Sequence, residues 1–215
     1  MSSGDSRLSV LAGGSECCCS KMAQAHVCVV LGSVREGRLG LRVARMIVNN
    51  LQQLGARTTL LDPLEINPPM LQQPLHFMKV SNVNTKLSLH PCPCQDQSQA
   101  PEWMVETHRV IQDCQGFVVV TPEYNCSLPP ALTNLLDYFP PASYRHKPAS
   151  IACYSMGPYG GMRAGALARP FLAELGLVSL PSILCIPTVQ NAGLSEDGLQ
   201  VDNERVVKNT SKLCK

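Results

Sequence analysis

The chain predicts an α/β fold: a five-stranded parallel sheet with helices packed on both faces. Three observations lead there. Strand-length apolar runs recur at 26–31, 57–62, 116–121, 148–154 and 180–186, each too short for a core helix. Helical spacing of apolar residues separates them, at about 39–54, 102–113, 130–138 and 162–175, with a last stretch near 203–213. Such strand-helix alternation builds parallel pairs through right-handed crossovers. Finally, Phe117 to Val120 form an unbroken, largely β-branched run, which suits a strand covered on both faces.

Taken in order, residues 1–24 are rich in Ser and Gly, lack periodicity and contain Asp5 and Glu16. They read as a disordered leader rather than a presequence, leaving 25–215 as one domain. In the first helix Val43, Ala44, Ile47, Val48, Leu51 and Leu54 make one apolar stripe, with Arg42, Arg45, Asn49 and Gln52 facing outward. Gly55 stops it as a left-handed cap would. Residues 79–99 hold no sustained period and are polar and Pro-containing, so they read either as a functional lid or as a disordered insertion without a catalytic role, with the composition favouring the second.

Pro122 is expected to end the third strand. Pro129 and Pro130 can open a helix because their missing N–H groups are not needed there, with Ser127 as its cap. Leu132, Leu135, Leu136 and Phe139 follow at helical spacing. In the later helix Ala164, Leu167, Phe171, Leu172 and Leu175 repeat that spacing, and Pro170 is expected to kink the helix or delay its start. His108 and His146 read as surface residues.

Composition narrows the function. With 18 basic and 16 acidic residues the formal charge is only +2, and no basic stripe or tail argues for nucleic acid or membrane. The apolar runs are too short to cross a bilayer and no secretory core opens the chain. A soluble cytoplasmic protein is expected. Eleven cysteines at this length do not make a disulfide scaffold, and Cys28, Cys153 and Cys185 sit in apolar runs as small hydrophobes. Neither Cys17-Cys18-Cys19 nor Cys92 with Cys94 has the second pair or histidines that a metal site needs. No metal is expected.

Three strand-to-helix loops carry the chemistry. After the first strand comes Gly-Ser-Val-Arg-Glu-Gly-Arg-Leu-Gly at 32–40, where helix N–H groups, the Ser33 hydroxyl, Arg35, Arg38 and a close approach at Gly40 can cradle one phosphate. The spacing matches neither a dinucleotide turn nor a nucleotide-triphosphate loop, and a solvated Gly-rich turn fits the residues equally well. After the third strand comes Pro-Glu-Tyr-Asn at 122–125, and after the fourth, Tyr154 to Ala164 with Gly157, Gly160 and Gly161. Loops leaving the carboxyl edge of one sheet converge on a shared ligand. A sheet of order 2-1-3-4-5 holds flavin mononucleotide (FMN) between its first and third strands.

These residues resemble the NADPH-dependent FMN reductase family, with its azo-, quinone- and chromate-reducing members on a flavodoxin-like three-layer sandwich of sheet order 2-1-3-4-5. The likeness covers about 26–190 apart from 79–99. It rests on Gly-Ser-x-Arg-x-Gly-Arg-x-Gly at 32–40, Pro-Glu-Tyr-Asn with Ala-Leu-x-Asn-x-x-Asp at 122–137, and Tyr-Ser with Gly-Gly-x-Arg-Ala at 154–164. The resemblance implies a noncovalent FMN whose phosphate lies at Ser33, Arg35, Arg38 and Gly40. It places the ring at Pro122, Glu123, Tyr124 and Asn125 and brings in Tyr154, Ser155, Gly157, Gly160 and Gly161. NADPH or NADH is then the donor, a small molecule the acceptor, and a homodimer or homotetramer the assembly. Arg38 stands where many members have serine, and Thr133-Asn134 where Lys-Asn is usual.

No side chain need act as acid or base, since the flavin carries the chemistry. Asn125 and the amides near Ser155 to Gly157 are the candidate donors to the reduced ring. Glu123 either accepts backbone N–H bonds or shapes its turn. The competing reading is a flavodoxin-like scaffold that binds FMN without turnover. A one-electron carrier would be strongly acidic, and Ser155 lacks the Gly-x-Ser-x-Gly elbow of a hydrolase.

Overall fold

The computed structural model describes residues 25–78 and 100–199. The leader, the 79–99 insertion and the helix expected near 203–213 lie outside them. Five strands form one wholly parallel sheet: β1 (His26–Leu31), β2 (Arg57–Leu61), β3 (Gly116–Pro122), β4 (Pro148–Tyr154) and β5 (Val178–Ile186). Their spatial order is β2-β1-β3-β4-β5. The chain reverses direction across the sheet between β1 and β3, so a crevice opens at their carboxyl ends.

The helices are α1 (Gly40–Gln53), α2 (Pro63–Ile66), α3 (Glu102–Asp113), α4 (Pro130–Asp137), α5 (Pro141–Tyr144) and α6 (Met162–Glu174). Strand side chains alternate between two cores. Val29, Leu31, Val118, Val120, Ala152 and Tyr154 pack with Val43, Ala44, Ile47 and Leu51 of α1. The opposite set, Cys28, Val30, Phe117, Val119, Ala149 and Ile151, meets Met104 and Ile111 of α3, Leu132, Leu135 and Leu136 of α4, and Ala168 and Leu172 of α6. Each fully buried Val, Leu, Ile or Phe contributes about 1.5–3 kcal/mol, and a one-residue slip of β3 would exchange its whole set between the two cores. The register Val29↔Val118 and Val119↔Ile151 is therefore strongly specified.

Several local expectations change. Strand β3 runs through Pro122, which pairs with Tyr154 at the end of the ladder, a position where a missing N–H is tolerated. Ser127 does not cap α4. Pro129 holds the cap position without a side-chain bond, and Ser127 instead exchanges backbone hydrogen bonds with Tyr124. Pro170 lies inside α6, while Leu167 is exposed and Ala168 is buried in its place. Leu54 is exposed beyond the end of α1, and Met46 is buried.

His108 is a buried residue, not a surface one. Its Nε2 lies 2.7 Å from Ser143 Oγ, its ring stacks on Phe139, and burial lowers its pKa. His146 is exposed as expected. The polar face of α1, with Arg45 and Gln52 exposed, also carries a later segment of the chain. Arg42, Arg45 and Asn49 donate to the carbonyls of Leu194, Glu196 and Asp197 at 3.2, 2.8 and 3.0 Å, which straps residues 194–198 across the helix.

Candidate functional site

The three loops leave the same edge of the sheet and are tied to one another by side chains. The first tie joins the loop after β1 to the loop after β3: Ser33 Oγ lies 3.0 Å from Tyr124 Oη. The Arg35 guanidinium stacks over the Tyr124 ring, 4.0 Å from its centroid, a cation–π contact that keeps its outer face turned to solvent. The second tie joins the loop after β3 to α6. Glu123 pairs with the Arg163 guanidinium, and the Arg163 and Ala164 amides donate to Glu123 Oε2 at 3.1 and 3.4 Å. Glu123 thus caps α6 from outside the helix. That decides between its two expected roles in favour of accepting backbone N–H bonds.

Between these ties the Pro122–Ser127 segment forms a tight turn. Asn125 and Cys126 have φ of 51° and 65°, and Tyr124 and Ser127 exchange backbone bonds of 3.1 and 2.9 Å. Positive φ at both central residues is what a two-residue turn demands, and asparagine tolerates it. Asn125 is consequently held at an exposed tip.

Arg38 is placed differently from the free phosphate donor expected of it. Its Nη1 donates to Asp62 Oδ1 at 2.7 Å and its Nη2 to Asp62 Oδ2, while Nη1 also reaches the Ser33 carbonyl. The Asp62 carboxylate is wholly buried and the Arg38 side chain is 8% exposed. Asp62 meanwhile accepts from the Leu64 amide at 2.9 Å, capping α2. Arg38 therefore shapes the loop after β1 by bracing it to the end of β2. Asp62 was missed from sequence, although Asp-Pro at 62–63 is a helix-start signal. Asn134, a motif residue with no role assigned from sequence, accepts from Leu71 N and donates to Pro69 O through its side chain, both at 2.8 Å, pinning the 69–71 segment beside α4.

The remaining residues of the third loop divide by role. Gly160 and Gly161 have φ of 60° and 78°, and a Cβ on Gly161 would lie 2.8 Å from the Tyr154 carbonyl oxygen. They let the chain press against the ends of β4 and β5. Ser155 is held by backbone bonds to Ile186 and Val189, and its hydroxyl donates to the Gly157 carbonyl at 3.2 Å. Tyr154 is buried, with its hydroxyl against the first turn of α1. Burial raises its pKa.

This donor set fits a flavin phosphate. Helix α1 follows the loop that carries Ser33 and Arg35 and begins without a side-chain cap and without an acid in its first turn, so its N-terminal dipole is uncompensated. A family model described as NADPH-dependent FMN reductase matches residues 25–191. The chain belongs to that family. Membership makes FMN its cofactor and a reduced nicotinamide its electron donor. A quinone reductase of Escherichia coli (strain K12) is 29% identical over 155 residues, 70% of each protein. An NADPH azoreductase of Bacillus sp. (strain OY1-2) is 30% identical over 90 residues, 41% of this chain and 51% of the relative. In architecture the chain is similar to FerB of Paracoccus denitrificans, a flavoenzyme NAD(P)H:(acceptor) oxidoreductase. The TM-score is 0.66 at 21% identity, over 88% of this chain and 93% of that one.

The Glu123 tie has a pH signature. Arg163, its strongest influence, holds the Glu123 carboxyl below the usual range, and the Ala164 amide adds to this against the opposing effect of burial. A lowered folded-state pKa contributes stability that is present above the unfolded value, about 4.3, and is lost as pH falls through the folded one. Glu123→Gln should therefore melt below wild type near neutral pH, and the gap should narrow and then close as pH falls below the unfolded value. Thermal melts of both proteins across that range check it; a gap independent of pH would show that the charge is irrelevant.

Proposed function

We propose that this protein takes reducing equivalents from NADPH or NADH and delivers them to quinone, azo or flavin acceptors, working as a cytoplasmic homodimer or homotetramer. The observation that carries the reading is the pair of ties, Ser33 to Tyr124 and Glu123 to Arg163 with Ala164, which fuse three loops into one rigid cleft at the reversal point of the sheet. Ser33, Arg35 and the start of α1 at Gly40 receive the phosphate, with Arg38 fixing the loop from behind. Pro122 to Asn125 lie along one side of the ring, with the segment from Ser155 to Gly161 along another. FMN, when bound, supplies the hydride-accepting and electron-releasing chemistry. The protein's part is to hold the ring with one face open, and to aim Asn125 and the amides at 156–157 at its pyrimidine edge, where charge develops; the Ser155 amide is already taken by the Ile186 carbonyl.

A second subunit has a surface to meet. Val34 and Leu64 are exposed and border a shallow recess lined also by Pro63, Pro68, Ala131 and Asn134. Exposed apolar side chains grouped beside a ligand site mark an interaction surface.

One preparation tests both statements. Purified protein should carry a flavin absorbance that bleaches on anaerobic addition of NADPH and returns when a quinone is added, with a mass by light scattering of two or four chains. Bound flavin that stays oxidised would leave a scaffold without turnover. A single-chain mass would remove the subunit contact.

A further inference from the structure

The Tyr154 hydroxyl is the one buried polar group at the cleft, among the described residues, whose chemistry the fold does not use. The residue is 6% exposed, and no group among the described residues makes a hydrogen bond with its Oη. The Ser33 hydroxyl bonds Tyr124 at 3.0 Å and lies close enough to act on the tyrosine, but not at hydrogen-bonding geometry. A buried hydroxyl without a partner is destabilising, and native proteins rarely keep one without a reason. Here the sequence also makes room for it. A Cβ on Gly40 would lie 2.0 Å from Tyr154 Oη and 2.6 Å from its Cζ, so only glycine at the start of α1 lets the ring reach the helix's first turn.

On the FMN reading, that first turn is where the phosphate would lie. It has no side-chain cap and no acidic residue, and Arg35 and Arg38 lie close enough to act electrostatically on the tyrosine. We propose that Tyr154 Oη donates a hydrogen bond to the phosphate monoester at the N-terminus of α1, so that Tyr154 serves the phosphate end of the cofactor and not the ring. The assignment rests on the FMN reading of this cleft. It makes Tyr154 and Gly40, 114 positions apart in the chain, a matched pair of donor and space. A phosphate dianion receiving a buried O–H is a charge-assisted bond, stronger than its neutral counterpart.

The test is Tyr154→Phe, which removes one oxygen and leaves the ring in place. Without ligand the variant should melt at or above the wild-type temperature, because the hydroxyl it loses has no partner in the fold. Its affinity for FMN should fall about 10- to 100-fold, while its affinity for riboflavin, which has the ring and no phosphate, stays at the wild-type value. Fluorescence titration reads both ligands. An equal loss for FMN and riboflavin, or no loss for either, would overturn the assignment. Inorganic phosphate separates this from the flavin reading. Should wild type bind no FMN, that reading falls, and the thermal shift with phosphate decides alone: a shift lost in Tyr154→Phe supports the hydroxyl's role, and a shift retained overturns it.

Discussion

Asp62→Ala should lower the unfolding free energy by about 3–5 kcal/mol, against a total of about 5–15 for a domain of ordinary stability. The carboxylate is wholly buried and receives both terminal nitrogens of Arg38. Removing it leaves a guanidinium that is 8% exposed, with the Ser33 carbonyl as its remaining acceptor. The uncompensated charge, rather than the lost attraction, sets the size of the effect. Loss of the Leu64 cap bond adds about 1 kcal/mol. The double change Arg38→Met with Asp62→Leu removes the orphan as well as the pair, and it should recover most of the stability. Urea unfolding of the three proteins checks this, and a single-variant loss under about 1 kcal/mol would reduce the pair to the rank of a surface ion pair. The double variant should still bind FMN poorly. Its phosphate loop no longer has a brace from β2, and the Ser33 backbone is freed.

The contrast between Arg38 and Arg35 shows where sequence reading stops. The alternation of strands and helices, and the loops that carry the site, follow from apolar periodicity and turn residues, which are local properties of the chain. Both arginines sit in one loop and look interchangeable there. What separates them is a partner 24 positions on from Arg38 and a ring 89 positions on from Arg35. Partnerships across crossovers leave no local trace. His108 was misplaced for a related reason: its position on α3 is polar by residue type, and only the packing of α5, which brings Ser143 to 2.7 Å, makes burial tolerable. Ser127 was misread because two capping patterns compete in Asn-Cys-Ser-Leu-Pro-Pro. The positive φ of Asn125 and Cys126 closes a turn at Ser127, and this leaves Pro129 to start α4.

Gly161→Ala and Gly157→Ala should part sharply, although the two glycines stand four apart in one loop. At Gly161 φ is 78°, and an added Cβ would meet the Tyr154 backbone at 2.8 and 2.9 Å. The left-handed conformation costs an L-residue about 1–2 kcal/mol. Forced contact in a packed interior adds about 1–3, and backbone at the end of a five-strand ladder cannot turn aside as a flexible side chain would. The sum is about 2–5 kcal/mol. The nearest atom to a Cβ on Gly157 is Ser155 Oγ at 3.9 Å, so that substitution should stay within about 0.5 kcal/mol of wild type. Urea unfolding of each variant reads the difference, and Gly161→Ala at wild-type stability would show that the loop is not pinned to β4. Flavin titration then divides structure from contact. Gly161→Ala moves the start of α6, whose first amides hold Glu123, and should weaken FMN and riboflavin together because the ring side of the cleft is displaced. If Gly157→Ala weakens both flavins at unchanged stability, the cause is the ligand's own approach to the 155–157 backbone, since nothing in the fold opposes the added methyl group.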